Sequence, residues 1–281
     1  MSILLPRAPQ ARKTNKSILL VGGGRMGAAL LKGWLRGGAG AVIVVEPKPS
    51  AELRKLARGK NVTLVASVGD VGAKKFRACV VALKPQILKD EAPVLRGFAG
   101  GGAAMISIAA GMNTKSLAKA WGPRARIIRA MPNTPGAIGR GITGLYAAKG
   151  AGAKDRKLAE KLLSALGETL WVGKEAEIDA VTAVSGSGPA YLFLMVEALA
   201  AAGAAEGLAA DVAMRLARAT MAGAGALLDA DKSEAAALRQ AVTSPGGTTE
   251  AALKVLMAKD GLAQMMQRAV AAARERAEEL G

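Results

Sequence analysis

The chain has 281 residues, 51% hydrophobic and 22% charged, which excludes a disordered chain and suits one large or two ordinary folded domains. Its 39 Lys and Arg against 22 Asp and Glu give a net charge of +17, which favours anionic partners: nucleic acid, a phosphate-bearing cofactor or a small carboxylate. There is no histidine and a single cysteine, Cys79. Histidine-assisted nucleophiles, histidine-bound metals, thiolate clusters and an internal disulfide are therefore excluded, and a reducing cytoplasm is the default location.

Residues 1–16, "MSILLPRAPQARKTNK", are basic and lack an apolar core long enough for a secretory signal; they read as a flexible tail. Ser17 to Val21 is a short apolar run suited to a buried parallel strand. Gly22-Gly23-Gly24-Arg25-Met26-Gly27 follows, then a helical stretch from Ala28 to Arg36 and a second strand from Ala41 to Val45 ending at Glu46. Strand, glycine turn, helix and strand make a βαβ unit with G-x-G-x-x-G at its first turn. Alone, that motif is also satisfied by a plain tight turn. With a strand before it, a helix after it and an acid about 20 residues on, it reads as a dinucleotide site.

Further strand candidates are Val62–Val65, Ala78–Leu83, Ala104–Ile108, Arg126–Arg129 and Thr169–Val172. Several end in special residues: Lys84-Pro85, Ala109-Ala110-Gly111 and Met131-Pro132-Asn133-Thr134-Pro135. In open α/β sheets ligands bind beyond the carboxyl ends of the strands, so these turns are candidate contacts. After residue 173 strand signals cease, and Ala- and Leu-rich helical stretches run from Ile178 to Leu228 and from Ser233 to Leu280. The expected organisation is a tail (1–16), an α/β Rossmann domain (17–173) and an all-helical domain (174–281). The helix opening at Pro189 is apolar almost all round, which calls for burial on every side and hence for a second copy of the chain. The run Ala190–Ala205 is short for a bilayer span, and no membrane partner is expected. The basic residues are scattered, without RNA-binding strands, zinc-finger spacing or a long basic arm, so nucleic acid is not the expected partner either.

Near the end, "VTSPGGTTE" (Val242 to Glu250) precedes a helix whose Leu253, Leu256 and Met257 recur at helical spacing. Two readings stand. Ser244, Gly246, Gly247, Thr248 and Thr249 could converge on an anion at a helix N-terminus, or Thr248 or Thr249 could cap the helix with Glu250 in its first turn. Beside a dinucleotide domain, a second anion site suggests a carboxylate substrate held against a nicotinamide ring.

The stretches "GGGRMGAALLKGWL", "VVALKPQIL", "ISIAAGM", "IIRAMPNTP", "DAVTAVSGSGPAYLFLMVEALA" and "VTSPGGTTEAALKVL", in that order over nearly the whole chain, closely resemble the pyrroline-5-carboxylate reductase family of proline biosynthesis. The resemblance implies a Rossmann domain followed by a helical domain that interlocks with its twin in a homodimer or ring of dimers. It also implies NAD(P)H-dependent reduction of a cyclic imino acid carboxylate without a metal. Cofactor contacts fall at Gly22, Gly24, Arg25, Met26, Glu46, Ala82, Leu83, Lys84, Pro85, Ala109 and Ala110. The substrate carboxylate would meet Ser244, Gly246, Gly247 and Thr248; Thr249, the catalytic candidate, would hydrogen-bond the ring nitrogen, and Glu175 would lie near the substrate. The missing histidine suits this chemistry, because a protonated imine needs orientation more than a strong acid. Departures from the family pattern are Glu46-Pro47-Lys48, where a carboxylate favours NADH while Arg25 and Lys48 offset it to leave a slight lean to NADPH, and Ser67-Val68 and Gln240-Ala241. Rivals are a reductase of six-membered cyclic imines, a β-hydroxy acid reductase (disfavoured because its usual Lys or His acid is missing from the first apolar helix) and a non-enzymatic polyanion binder.

Overall fold

The computed structural model describes residues 17–59 and 61–280, so the tail assigned to residues 1–16 lies outside the described residues. Strands β1 (Ile18–Val21), β2 (Val42–Val45), β3 (Val62–Val65), β4 (Ala78–Val81), β5 (Ala104–Ser107), β6 (Arg126–Met131), β7 (Gly141–Ala147) and β8 (Gly167–Trp171) form one sheet in the order β3-β2-β1-β4-β5-β6-β7-β8. The first six are parallel; β7 runs antiparallel to β6, and β8 runs parallel to β7. Helices α1 (Arg25–Arg36), α2 (Ala51–Leu56), α3 (Pro85–Glu91), α4 (Arg96–Gly100), α5 (Thr114–Trp121) and α6 (Ala153–Leu163) lie among the strands.

Alternate residues of the central strands serve the two faces of the sheet. Ile18 and Leu20 of β1 join Leu30, Leu31 and Trp34 of α1 and Leu162 and Leu163 of α6 in one core. Leu19 and Val21 face the other way, into a core with Leu88 of α3 and Leu117 and Trp121 of α5. Burial on both faces is why β1, β2 and β4 read as unbroken apolar runs. Cys79 sits at zero exposure in the second core, where burial pushes its thiol well above the usual range.

The strand β7 is absent from the sequence reading. Its run "GITGLYA" holds two glycines, which weaken any strand signal. Gly144 is there for a tertiary reason: a Cβ would come within 2.7 Å of the Val181 side chain.

Beyond β8 the regular elements among the described residues are all helical, as expected, but in more pieces than two long stretches. The elements are α7 (Glu177–Val181), a π-helical turn (Thr182–Gly186), α8 (Gly188–Ala205), α9 (Ala210–Ala230), α10 (Ala235–Ala241), α11 (Thr248–Leu256) and α12 (Leu262–Glu279). Helices α8 and α9 pack as a hairpin, and α12 returns to α7 and the π turn. The burial expected for α8 does not occur within one chain. Only Ala200 of α8 is buried, while Phe193 and Leu194 are 63% and 64% exposed. The continuous helical stretch Glu177–Ala205, 29 residues, is long and apolar enough by length and composition to cross a membrane, longer than the run singled out from sequence.

Candidate functional site

The loops expected to contact a dinucleotide lie together at one edge of the sheet. The registers Val21–Val45, Val21–Val81 and Val81–Ser107 bring the turns after β1, β2, β4 and β5 to the carboxyl ends of the parallel strands. Between β1 and β4 the strand order reverses direction, which is where open α/β sheets bind ligands.

The three motif glycines have distinct physical reasons. Gly22 has φ +98°, and a Cβ there would sit 2.6 Å from the Ala82 carbonyl oxygen, so only glycine passes the end of β4. A Cβ on Gly27 would lie 2.1 Å from the Gly22 carbonyl oxygen, so helix α1 can approach its own turn only without a side chain. Gly24 meets nothing within 4 Å and is exposed, leaving its backbone open to a ligand. Gly24 also caps α1 without a side-chain hydrogen bond, and no acid occupies the first turn. The free N–H groups and positive end of the helix therefore face open space, an environment suited to a pyrophosphate. Arg25 and Lys84 are exposed on either side, Met26, Ala82, Leu83, Pro85 and Ala110 are half-buried, and Ala109 is buried.

Glu46 occupies the end of β2 but is already engaged. One carboxylate oxygen accepts from Gly23 N–H at 2.8 Å and the other from Lys48 N–H at 3.0 Å. It therefore ties the glycine turn to β2, and these bonds partly satisfy the charge that would meet a ribose or its phosphate.

The loop Ser244 to Gly247 leads into α11 as read from the sequence, but the threonines do not cap it. Gly247 is the N-cap and has no side chain to offer, which places Thr248 and Thr249 in the first turn. Glu250 reaches back instead, accepting from Gly246 N–H at 2.6 Å. Gly246 takes φ +71°, a conformation that favours glycine. Among the described residues the hydroxyls of Ser244, Thr248 and Thr249 make no hydrogen bond. Neither α10 nor α11 packs substantially against any strand or helix of the sheet domain.

Glu175 is placed elsewhere again. Its Oε1 accepts from Thr114 N–H and its Oε2 from Thr114 Oγ1–H, both at 2.6 Å. Arg129 on β6, 3% exposed, lies 3.5 Å from Glu175 and donates to Asp179 on α7 at 2.7 Å. Sequence reasoning missed Thr114, Arg129 and Asp179 as a set. The one available signal was a charged residue inside the apolar run "RIIRAM", which needs a buried partner.

A cleft of about 410 Å³ opens between the loop after β6 (Asn133, Pro135), the π-helical turn (Val184, Ser185) and the start of α8 (Tyr191, Phe193), within the size range of small-molecule sites. None of the substrate residues expected from the sequence lines it. No group of three metal-ligating side chains occurs among the described residues.

Residues 175–280 match the family model described as pyrroline-5-carboxylate reductase dimerisation, and residues 17–111 match that of NADP oxidoreductase, coenzyme F420-dependent. The pyrroline-5-carboxylate reductase of Pseudomonas aeruginosa is 39% identical over 94% of this chain and 96% of its own length. That of Haemophilus influenzae is 37% identical over 95% and 98%. Among solved structures, a pyrroline-5-carboxylate reductase from Coxiella burnetii superposes with TM-score 0.87 at 34% identity, covering 95% of this chain and 99% of that one. The Plasmodium falciparum pyrroline carboxylate reductase, solved with NADP bound, gives 0.77 at 27% identity over 95% and 98%.

Proposed function

This chain belongs to the pyrroline-5-carboxylate reductase family and is an NAD(P)H-dependent oxidoreductase reducing 1-pyrroline-5-carboxylate to proline; we propose which of its residues do the work. Gly22, Gly24, Arg25 and Met26 hold the pyrophosphate at the start of α1, with Lys84 and Pro85 opposite and Ala109 and Ala110 bordering the nicotinamide. When bound, the reduced dinucleotide supplies the hydride. We place the boundary between the two domains near Gly173, after the last strand and before α7.

In this reading Ser244, Gly246, Gly247 and Thr248 bind the substrate carboxylate and Thr249 orients the ring nitrogen. The observation that carries it is the uncapped start of α11, with its hydroxyls uncommitted. Free N–H groups there favour an anion, and a threonine hydroxyl can both donate to and accept from a ring nitrogen. Because the substrate can arrive as a protonated imine, the chain needs to align it rather than acidify it. The detachment of α11 from its own sheet supports a site completed across a homodimer, the α8 faces covering each other instead of meeting lipid. Rings of dimers are the larger assembly we favour, in the cytoplasm and without nucleic acid. For the cofactor, exposed Arg25 and Lys48 beside the engaged Glu46 favour NADPH slightly over NADH.

Purified protein with pyrroline-5-carboxylate and either dinucleotide tests this by loss of reduced-cofactor absorbance. Turnover is expected with both, faster with NADPH, and Thr249→Ala should lower kcat by about 10- to 100-fold. No turnover with either dinucleotide would overturn the assignment, and an unchanged Thr249→Ala would remove Thr249 from the site.

A further inference from the structure

We infer that Glu175 is a positioning residue that fastens the nicotinamide-facing loop to the helical domain, and not a ligand of the substrate. The inference rests on the reading above in which Ala109 and Ala110 border the nicotinamide. The chain leaves β5 at Ser107, crosses the ligand edge through Ala109 to Asn113 and enters α5 at Thr114. Thr114 is the first residue of that helix. Its N–H and its hydroxyl each donate to a different oxygen of Glu175 at 2.6 Å. A carboxylate on the first N–H of a helix is favoured by both the hydrogen bond and the helix dipole. Glu175 precedes α7, and α7 is itself fixed by Asp179 to the buried Arg129 of β6. Arg129 also faces Glu175 at 3.5 Å, so the carboxylate is held by two hydrogen bonds and an ion pair from the sheet domain.

A second contact pins the same loop from the other side. Gly111 has φ +70°, and a Cβ there would lie 2.8 Å from the Leu280 Cβ and 2.9 Å from the Leu280 carbonyl oxygen. Leu280 caps the C-terminus of α12, and α12 packs on α7. The short loop is thus gripped at Gly111 and at Thr114 by the two ends of the helical domain. A shift of that domain relative to the sheet moves the loop, because so short a segment has little slack. Each oxygen of Glu175 accepts one bond from Thr114, across the join between the helical domain and the sheet domain, which is the geometry of a seam. Alignment of the nicotinamide with the imine is thereby tied to the placement of the helical domain.

A double-mutant cycle of Glu175→Gln and Thr114→Val in the full-length oligomer tests this, with Thr114→Ser as the conservative control. The expected result is a kcat about tenfold lower in each single variant. The substrate KM should stay within about twofold. The double variant should be no worse than either single, and Thr114→Ser should sit near wild type. The NADPH dissociation constant, read by fluorescence without substrate, should weaken equally in the two singles and no further in the double. If Glu175→Gln raises the substrate KM while Thr114→Val does not, and the effects multiply, Glu175 acts on substrate and the proposal fails. It also fails if Tm falls while kcat and cofactor affinity are unchanged below the transition, since the contact is then merely structural. Wild type that binds NADPH but does not turn over pyrroline-5-carboxylate would defeat the substrate reading instead, leaving the cycle readable in cofactor affinity.

Discussion

The sheet domain and the α8–α11 region differ in where they find their stabilising contacts. Strands β1, β2 and β4 are buried along their whole length, with cores on both faces that one chain supplies. Helix α8 is apolar almost all round, yet Leu192, Phe193, Leu194 and Leu199 are exposed in the single chain. Burial of an apolar side chain contributes about 1.5–3 kcal/mol, so the sheet domain holds that stabilisation internally while α8 can gain it only from another surface. Apolar residues therefore complete a self-contained fold in one region and leave an exposed apolar face in the other. The glycine turn after β1 belongs to the first region and the Ser244–Thr249 loop to the second, so the proposed site draws on both.

The seam between the regions is where the comparison breaks most easily. Arg129→Ala leaves Asp179 and Glu175 facing each other without their buried cation. A loss of about 3–5 kcal/mol is expected, measured as a lower urea midpoint. A change below about 1 kcal/mol would show that the regions are not joined there. Next in size is the exposed face of α8. Phe193→Glu with Leu194→Glu should weaken self-association by about 2–4 kcal/mol, seen by sedimentation as monomer, with turnover lost but NADPH binding kept. Monomeric protein with full activity would contradict a shared site. The smallest effect is expected inside the self-contained region. Gly27→Ala drives a Cβ into the Gly22 carbonyl and should weaken NADPH binding, with a stability loss of about 1–3 kcal/mol and an unchanged oligomer.

The local parts of the protein were legible in its residues. Apolar runs of strand length, the Gly22-Gly24-Gly27 spacing and Glu46 at the end of β2 define a dinucleotide-binding βαβ unit because each element's signal lies within a few residues of itself. The change to helix after β8 was equally visible, since composition shifts there. The glycine loop before α11 was legible as a helix entry, but the choice between threonine caps and free hydroxyls was not. That choice depends on Gly247 taking the cap and Glu250 folding back to Gly246.

What the sequence determined by itself is the set of elements whose patterns are periodic or whose backbones demand glycine, together with the family those patterns mark. The tertiary structure alone decided the rest. Strand β7 was hidden because Gly144 serves the close approach of α7 and not strand propensity. In the sequence, Glu175 and Thr114 give no sign of their pairing, 61 positions apart, which only the fold brings about. Such contacts leave no periodic trace, because they exist only once α7 has docked on the sheet and brought distant charges together.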